Sequence, residues 1–217
     1  MTIERIGLLG DIHAEDDALA VALRVLRDEG AERIVAVGDI VDGLGSVDRC
    51  CALLVEAGAV AVRGNHERWF LAGTMRELPH ATMAVGAEAR RFLAGLPATV
   101  RIEAEGGDIL VCHGLGDDDM ASVDLRMDPS WMRPNPPLEA LLDEERPLRV
   151  LNGHTHQRGV WCYGKLAVVN GGTLFRKHEP CFGVVDLGRG EVRYHVIEGG
   201  RVGRVEVVPL PPARGGR

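Results

Sequence analysis

Three short apolar stretches in the first third of this chain each stop at a glycine followed by a carboxylate or an amide: Gly10-Asp11, Gly38-Asp39 and Gly64-Asn65. The stretches read as strands over residues 5–9, 33–37 and 59–63. Between them, residues 18–29 put Leu19, Leu23 and Leu26 on one helical face, and residues 46–57 read as a second helix. Asp16 or Asp17 is the expected N-cap of the first helix, and Gly30 and Gly58 close the two helices. A βαβαβ order of this kind predicts a parallel sheet with right-handed crossovers. Ligands of such sheets bind beyond the carboxyl ends of the strands, so Asp11, Asp39 and Asn65 are expected to meet on one rim.

The second half changes rhythm. Helical patterns near residues 67–72 and 87–94 give way to strands expected at 99–104, 108–112, 148–151, 160–163, 166–169, 182–187, 192–198 and 205–208. Short strands with turn residues between them suggest hairpins and a second, mixed sheet packed on the first. Residues 114–137 read as a long irregular segment, and a loop of that length usually serves a function. One domain over residues 1–208 is expected, followed by a loose tail at 209–217 rich in Pro, Gly and Arg.

The 217 residues are 46% hydrophobic, which excludes intrinsic disorder, yet no run of about 18 apolar residues is present to span a bilayer. Residues 1–5 lead into the first apolar run without a signal-peptide core. Five cysteines show no C-x-x-C spacing, which speaks against a disulfide framework or a zinc ribbon. A cytoplasmic setting is therefore expected. The formal charge of −7 argues against long nucleic acid as a partner, which would need an extended basic surface. It does not exclude a small anionic partner, because bound metal ions can reverse the sign of a local field.

Five motifs stand at successive turns: Gly10-Asp11-Ile12-His13, Gly38-Asp39-Ile40-Val41-Asp42, Gly64-Asn65-His66-Glu67, His113-Gly114 and Gly153-His154-Thr155-His156. Together they offer imidazole nitrogen, carboxylate oxygen and one amide oxygen. Mixed nitrogen and oxygen donors suit Mn²⁺, Fe, Zn²⁺ or Co²⁺ rather than Ca²⁺ or a thiolate-bound metal. In extended chain, residues i and i+2 point to the same side, so Asp11 with His13 and His154 with His156 can each grip one cluster. Any single motif has an ordinary structural explanation. Their joint occurrence, each at an expected strand end, does not.

On these motifs the chain resembles the calcineurin-like metallophosphoesterase superfamily, over roughly two-thirds of its length. The resemblance implies a four-layer αββα sandwich of two mixed β-sheets flanked by helices. It also implies two divalent metal ions, Mn²⁺ first and Fe, Zn²⁺, Co²⁺ or Ni²⁺ as alternatives. One would be held by Asp11, His13 and His156, the second by Asn65, His113 and His154, with Asp39 bridging. The implied reaction is hydrolysis of a phosphoester by a metal-activated hydroxide, with His66 protonating the leaving group and Asp42 orienting His66. Two other readings accompany it, a protein Ser/Thr-type phosphatase and a non-catalytic scaffold of the same fold.

The match mixes branches. Val41-Asp42 and Arg63-Gly64-Asn65-His66-Glu67 resemble the protein phosphatase and diadenosine tetraphosphatase branch, whereas Gly153-His154-Thr155-His156 resembles the small bacterial phosphodiesterases. Gly43 stands where the former branch has a phosphate-clamping arginine, and Ala14 where glycine is usual. Arg63, Arg68, Arg126 and Arg133 are the candidates to replace that clamp. Plainer readings apply elsewhere. Cys112 suits a buried small hydrophobe, Asp117-Asp118-Asp119 a solvated acidic loop, and Trp131 with Met120, Met127 and Met132 either a pocket wall or loop packing. His80 and His195 have no recognisable context, and His178 is a candidate for the edge of the site.

Overall fold

Alternation of apolar residues sets the layers of the molecule. The computed structural model describes residues 3–104, 107–123, 135–146 and 148–210. In chain order the elements are β1 (Arg5–Leu9), α1 (Asp16–Asp28), β2 (Arg33–Ala36), α2 (Val47–Glu56), β3 (Val60–Ala61), α3 (Asn65–Ala72), α4 (Ala87–Ala94), β4 (Thr99–Ile102) and β5 (Asp108–Cys112). Then follow α5 (Pro136–Leu142), β6 (Leu148–Asn152), β7 (Gly159–Tyr163), β8 (Leu166–Asn170), β9 (Cys181–Asp186), β10 (Glu191–Glu198) and β11 (Arg201–Pro209). The first sheet has the order β11-β10-β9-β1-β2-β3 and the second β4-β5-β6-β8-β7. Each is mixed. β1 pairs with β2 in parallel and with β9 antiparallel, while β5, β6 and β8 run parallel between the antiparallel edges β4 and β7.

Successive residues of a strand face opposite sides, and here the two sides belong to different cores. Ile6, Leu8, Val35 and Val37 of the first sheet meet Ile109, Val111, Leu151 and Val169 of the second. On the outer face of the first sheet, Leu9 and Ala36 pack under Leu19, Leu23 and Leu26 of α1 and Leu54 of α2. On the outer face of the second, Leu110, Val150 and Val168 pack under Leu138 and Leu141 of α5. Three stacked cores make four layers, helix–sheet–sheet–helix. Among the described residues no helix is long and apolar enough to cross a membrane.

Some boundaries differ from the sequence reading, each for a local reason. The N-cap of α1 is Glu15 rather than Asp16 or Asp17. Both aspartates lie in the first turn, and Asp16 instead accepts hydrogen bonds from the Ser46 N–H and from Arg49. The strand expected at 59–63 leaves the sheet early, because the Arg63 N–H donates to Pro97 O at 2.8 Å. The helix α3 begins at Asn65, earlier than expected, with Gly64 as N-cap. The helix α5 falls at the end of the segment read as irregular, where the Asn135 side chain accepts from the Leu138 N–H and Pro136 opens the helix. Pro209 closes β11 and Leu210 is buried, so both lie inside the fold. Residues 211–217, Arg126, Met127, Trp131, Met132 and Arg133 lie outside the described residues.

Candidate metal centre and active site

The carboxyl ends of β1, β2, β3, β5 and β6 converge at one end of the sandwich, where the two sheets touch through their turns. His113 Nδ1 donates to Val37 O at 2.8 Å, and the His154 N–H donates to Asp11 Oδ1 at 3.0 Å. These contacts join the loops after β5 and β6 to those of β1 and β2. The approach is close enough that Gly153 can carry no side chain: a Cβ there would lie 2.5 Å from Asp11 Oδ1.

All seven residues expected around the metals come together at this end, in two groups that share Asp39. In the first, His13 Nε2 lies 3.1 Å from His156 Nε2, and His156 Nε2 lies 3.3 Å from Asp11 Oδ2. In the second, Asn65 Oδ1 lies 2.8 Å from His113 Nε2 and 3.1 Å from His154 Nδ1. Asp39 Oδ2 stands between them, 4.0 Å from His13 Nε2 and 3.3 Å from His113 Nε2. His13, Asp39, Asp42, His154 and His156 all hold left-handed backbone, with φ between 46° and 68°. For residues other than glycine this costs about 1–3 kcal/mol each and is concentrated at functional sites.

The donor chemistry fits cations. His13 Nδ1 donates to Asp42 O at 2.9 Å, so its Nε2 turns a lone pair toward His156 Nε2. The backbone bond from His113 Nδ1 likewise turns its Nε2 toward two oxygens. Fixing one ring nitrogen by a carbonyl so that the other faces inward is the usual preparation of a metal-binding imidazole. Asp11 Oδ2 is buried without a hydrogen-bond partner among the described residues. Burial pushes the Asp11 carboxyl up to about 7, with His113 opposing and the Asp39 charge adding. Burial disfavours a charged His113, but Asp39 and Asp11 outweigh it and raise its pKa to about 10. Asp39 moves the other way, since His113, His66 and His13 overcome its burial and hold it ionised. Two buried carboxyl groups and an inward-facing imidazole this close together suit a positive charge between them.

Beside it, His66 Nδ1 donates to Asp42 Oδ2 at 2.8 Å, and His66 Nε2 lies 3.8 Å from Asp39 Oδ2. Burial works to lower the His66 pKa, and the Asp42 bond and the Asp39 charge raise it on balance. The proposed dyad partners are thus in contact. The loops carrying them are tied by Glu67, fully buried, which accepts from the Asp39, Ile40, Val41 and Gly64 N–H groups. Glu67 has no role expected from the sequence, although its place in Gly-Asn-His-Glu is the available signal. Neither do Arg76 and Thr82, which reach Asp42 from a turn without any motif.

Gly43 cannot be replaced by an arginine clamp on this backbone, since its Cβ would lie 1.7 Å from His13 O. Arg63 and Arg68 instead line a cavity of about 480 Å³ that reaches His113 and Asp119, with Arg68 held bidentately by Asp119 at 2.7 and 2.8 Å. Cys112 is buried in β5, and burial pushes its thiol up to about 12. His178 does edge the site, with its Nδ1 2.7 Å from His156 Nδ1. His195 stacks on Phe182, and His80 contacts the Lys177 Nζ.

Residues 5–190 match the family model for the calcineurin-like phosphoesterase superfamily domain. The chain belongs to that superfamily. Among solved structures with this phosphoesterase fold, a hypothetical protein from Pyrococcus horikoshii superposes with a TM-score of 0.69 at 19% identity, covering 89% of this chain and 88% of the other. A metallophosphoesterase from Sphaerobacter thermophilus gives 0.64 at 20% identity, covering 91% and 89%. An uncharacterized protein from Methanocaldococcus jannaschii is 24% identical over 122 residues, 52% of this chain. The match spans half of that relative's length.

Proposed function

We propose that this superfamily member hydrolyses a small phosphoester with two divalent cations, Mn²⁺ first among them. Asp11, His13 and His156 would hold one, Asn65, His113 and His154 the other, and Asp39 both. The observation that carries this reading is the 3.1 Å approach of His13 Nε2 to His156 Nε2, with the His13 proton already committed to Asp42 O. Two ring nitrogens so placed beside the unpartnered Asp11 Oδ2 have a cation as their natural common partner.

Cations bound here supply Lewis-acid polarisation of the phosphoryl oxygens and a nucleophile at neutral pH. The rest is the work of the chain. His66, with Nδ1–H committed to Asp42 and Nε2 facing the cluster, would in its protonated form give the Nε2 proton to the leaving oxygen. Arg63 and Arg68 border the approach past His113 in a cavity also lined by Asp117, Asp118 and Asp119, and Arg68 would meet an anionic ester by exchanging its Asp119 partner for it. The five cysteines form no disulfide with one another and fit a reducing, cytoplasmic setting.

Protein stripped of metal and reloaded with Mn²⁺ should cleave p-nitrophenyl phosphate or its bis-ester, and Asp39→Asn or His154→Ala should abolish turnover. Metal binding without turnover on a panel of mono- and diesters, dinucleoside polyphosphates, cyclic nucleotides and a phosphopeptide would instead favour a non-catalytic scaffold. Exclusive turnover of the phosphopeptide would favour a Ser/Thr-type phosphatase. His66→Ala should slow esters with poor leaving groups far more than p-nitrophenyl esters, and equal losses would refute the general-acid role.

A further inference from the structure

Asp42 has more partners than the orientation of one histidine requires. Its Oδ1 accepts from Arg76 Nη1 at 2.9 Å and from the Thr82 N–H at 2.7 Å. Its Oδ2 accepts from Arg76 Nη2 at 3.1 Å and from His66 Nδ1 at 2.8 Å. The Asp42 N–H in turn donates to Thr82 Oγ1 at 2.9 Å. Arg76 is itself fixed at every nitrogen, with Nε donating to Thr74 O at 2.8 Å and Nη1 also to Thr82 O at 3.1 Å. The Arg76 and Asp42 side chains are 15% and 2% exposed, so the fork is shielded from water. Apart from His66, these partners come from the turn between α3 and α4, more than thirty residues from Asp42 in sequence.

We propose that Arg76 is a positioning residue for the Asp42–His66 pair. A carboxylate gripped by a guanidinium on both oxygens cannot rotate. With Oδ1 filled by Arg76 and Thr82, the site left for His66 is on Oδ2, in the plane set by the fork. That geometry holds the proton on His66 Nδ1 and keeps Nε2 directed at the cluster. It also explains how Asp42 keeps its left-handed backbone, φ 63°, against the strain. Without the fork the carboxylate turns toward water, and His66 loses its fixed tautomer before it loses its place in α3. The inference rests on the reading of His66 as general acid.

The test uses Arg76→Gln and Arg76→Lys in the metal-loaded protein, with p-nitrophenyl phosphate and phenyl phosphate as probes. It adds ¹⁵N-histidine NMR on Zn²⁺-loaded protein, at a pH where the His66 ring is neutral. Arg76→Gln should slow the phenyl ester by about 10- to 100-fold, with KM little changed and the p-nitrophenyl ester much less affected. It should add nothing in a His66→Ala background, the signature of two residues acting as a unit. The His66 ring signals should pass from an Nδ1–H tautomer to a mixture, and Arg76→Lys should fall between. Equal losses on both esters, additive losses in the double variant, or an unmoved tautomer would overturn the proposal. If Arg76→Gln does not fold, Arg76→Lys carries the same comparison. If wild-type protein turns over neither monoester, nor the bis-ester, nor the rest of the panel above, the proposed function fails, while the tautomer measurement still decides the role of Arg76.

Discussion

One carboxylate, that of Glu67, binds the loop after β2 to the loop after β3 through four backbone N–H groups. Glu67→Ala would orphan all four in a buried setting, at about 1–3 kcal/mol for each donor left without a partner. Urea denaturation should show a loss of about 4 kcal/mol or more, and calorimetry a parallel loss of metal affinity, because Asp39 and Asn65 are both displaced. Glu67→Gln should be milder, since one oxygen still accepts. Gly43 presents the opposite problem, that of having no room. Gly43→Ala puts a methyl into His13 O and should cost at least about 3 kcal/mol. Gly43→Arg should therefore lower activity on p-nitrophenyl phosphate rather than supply the absent clamp.

At the scale of elements, β9 and β10 are joined at their turn by Asp186, nearly buried at 4% side-chain exposure. Burial works to raise its pKa, but the Arg189 N–H, Arg193 and Arg5 outweigh it and hold the carboxyl below its ordinary value. A lowered carboxylate stabilises the fold above the unfolded-state value of about 3.9. That contribution disappears as pH falls through the lower folded-state value. Asp186→Asn should thus be less stable than wild type at pH 7 in urea titrations. The difference should persist down to about pH 4–5 and close below it, and a constant difference across the range would refute the ionic account. The elements themselves were legible to different degrees. β5 and α4 match the expected bounds because their apolar patterns are uninterrupted. α5 was hidden because paired prolines read as loop, although they open a helix capped by Asn135. β11 runs from Arg201, earlier than expected, because its exposed edge alternates charge and valine instead of showing an apolar run.

For the whole molecule, the candidate metal centre draws its residues from the ends of both sheets and from both halves of the sequence. Chelation should lower Tm and Mn²⁺ should restore it, since a ligand bound only by the folded state stabilises by mass action. Asp39→Asn should abolish that Mn²⁺-dependent shift in a thermal melt. The cluster was legible because its residues sit at strand ends, in dipeptides and tripeptides that sequence displays directly. Arg76 and Thr82 were not, since their role exists only once the turn after α3 folds back on Asp42. The left-handed backbone at His13, Asp39, Asp42, His154 and His156 has one more consequence. At such positions glycine relieves strain of about 1–3 kcal/mol, so His156→Gly should melt higher than wild type when both are metal-free. A laboratory selection of this chain for heat resistance alone, run in a chelator, would then drift toward glycine at its candidate metal centre and discard the proposed activity while improving the protein.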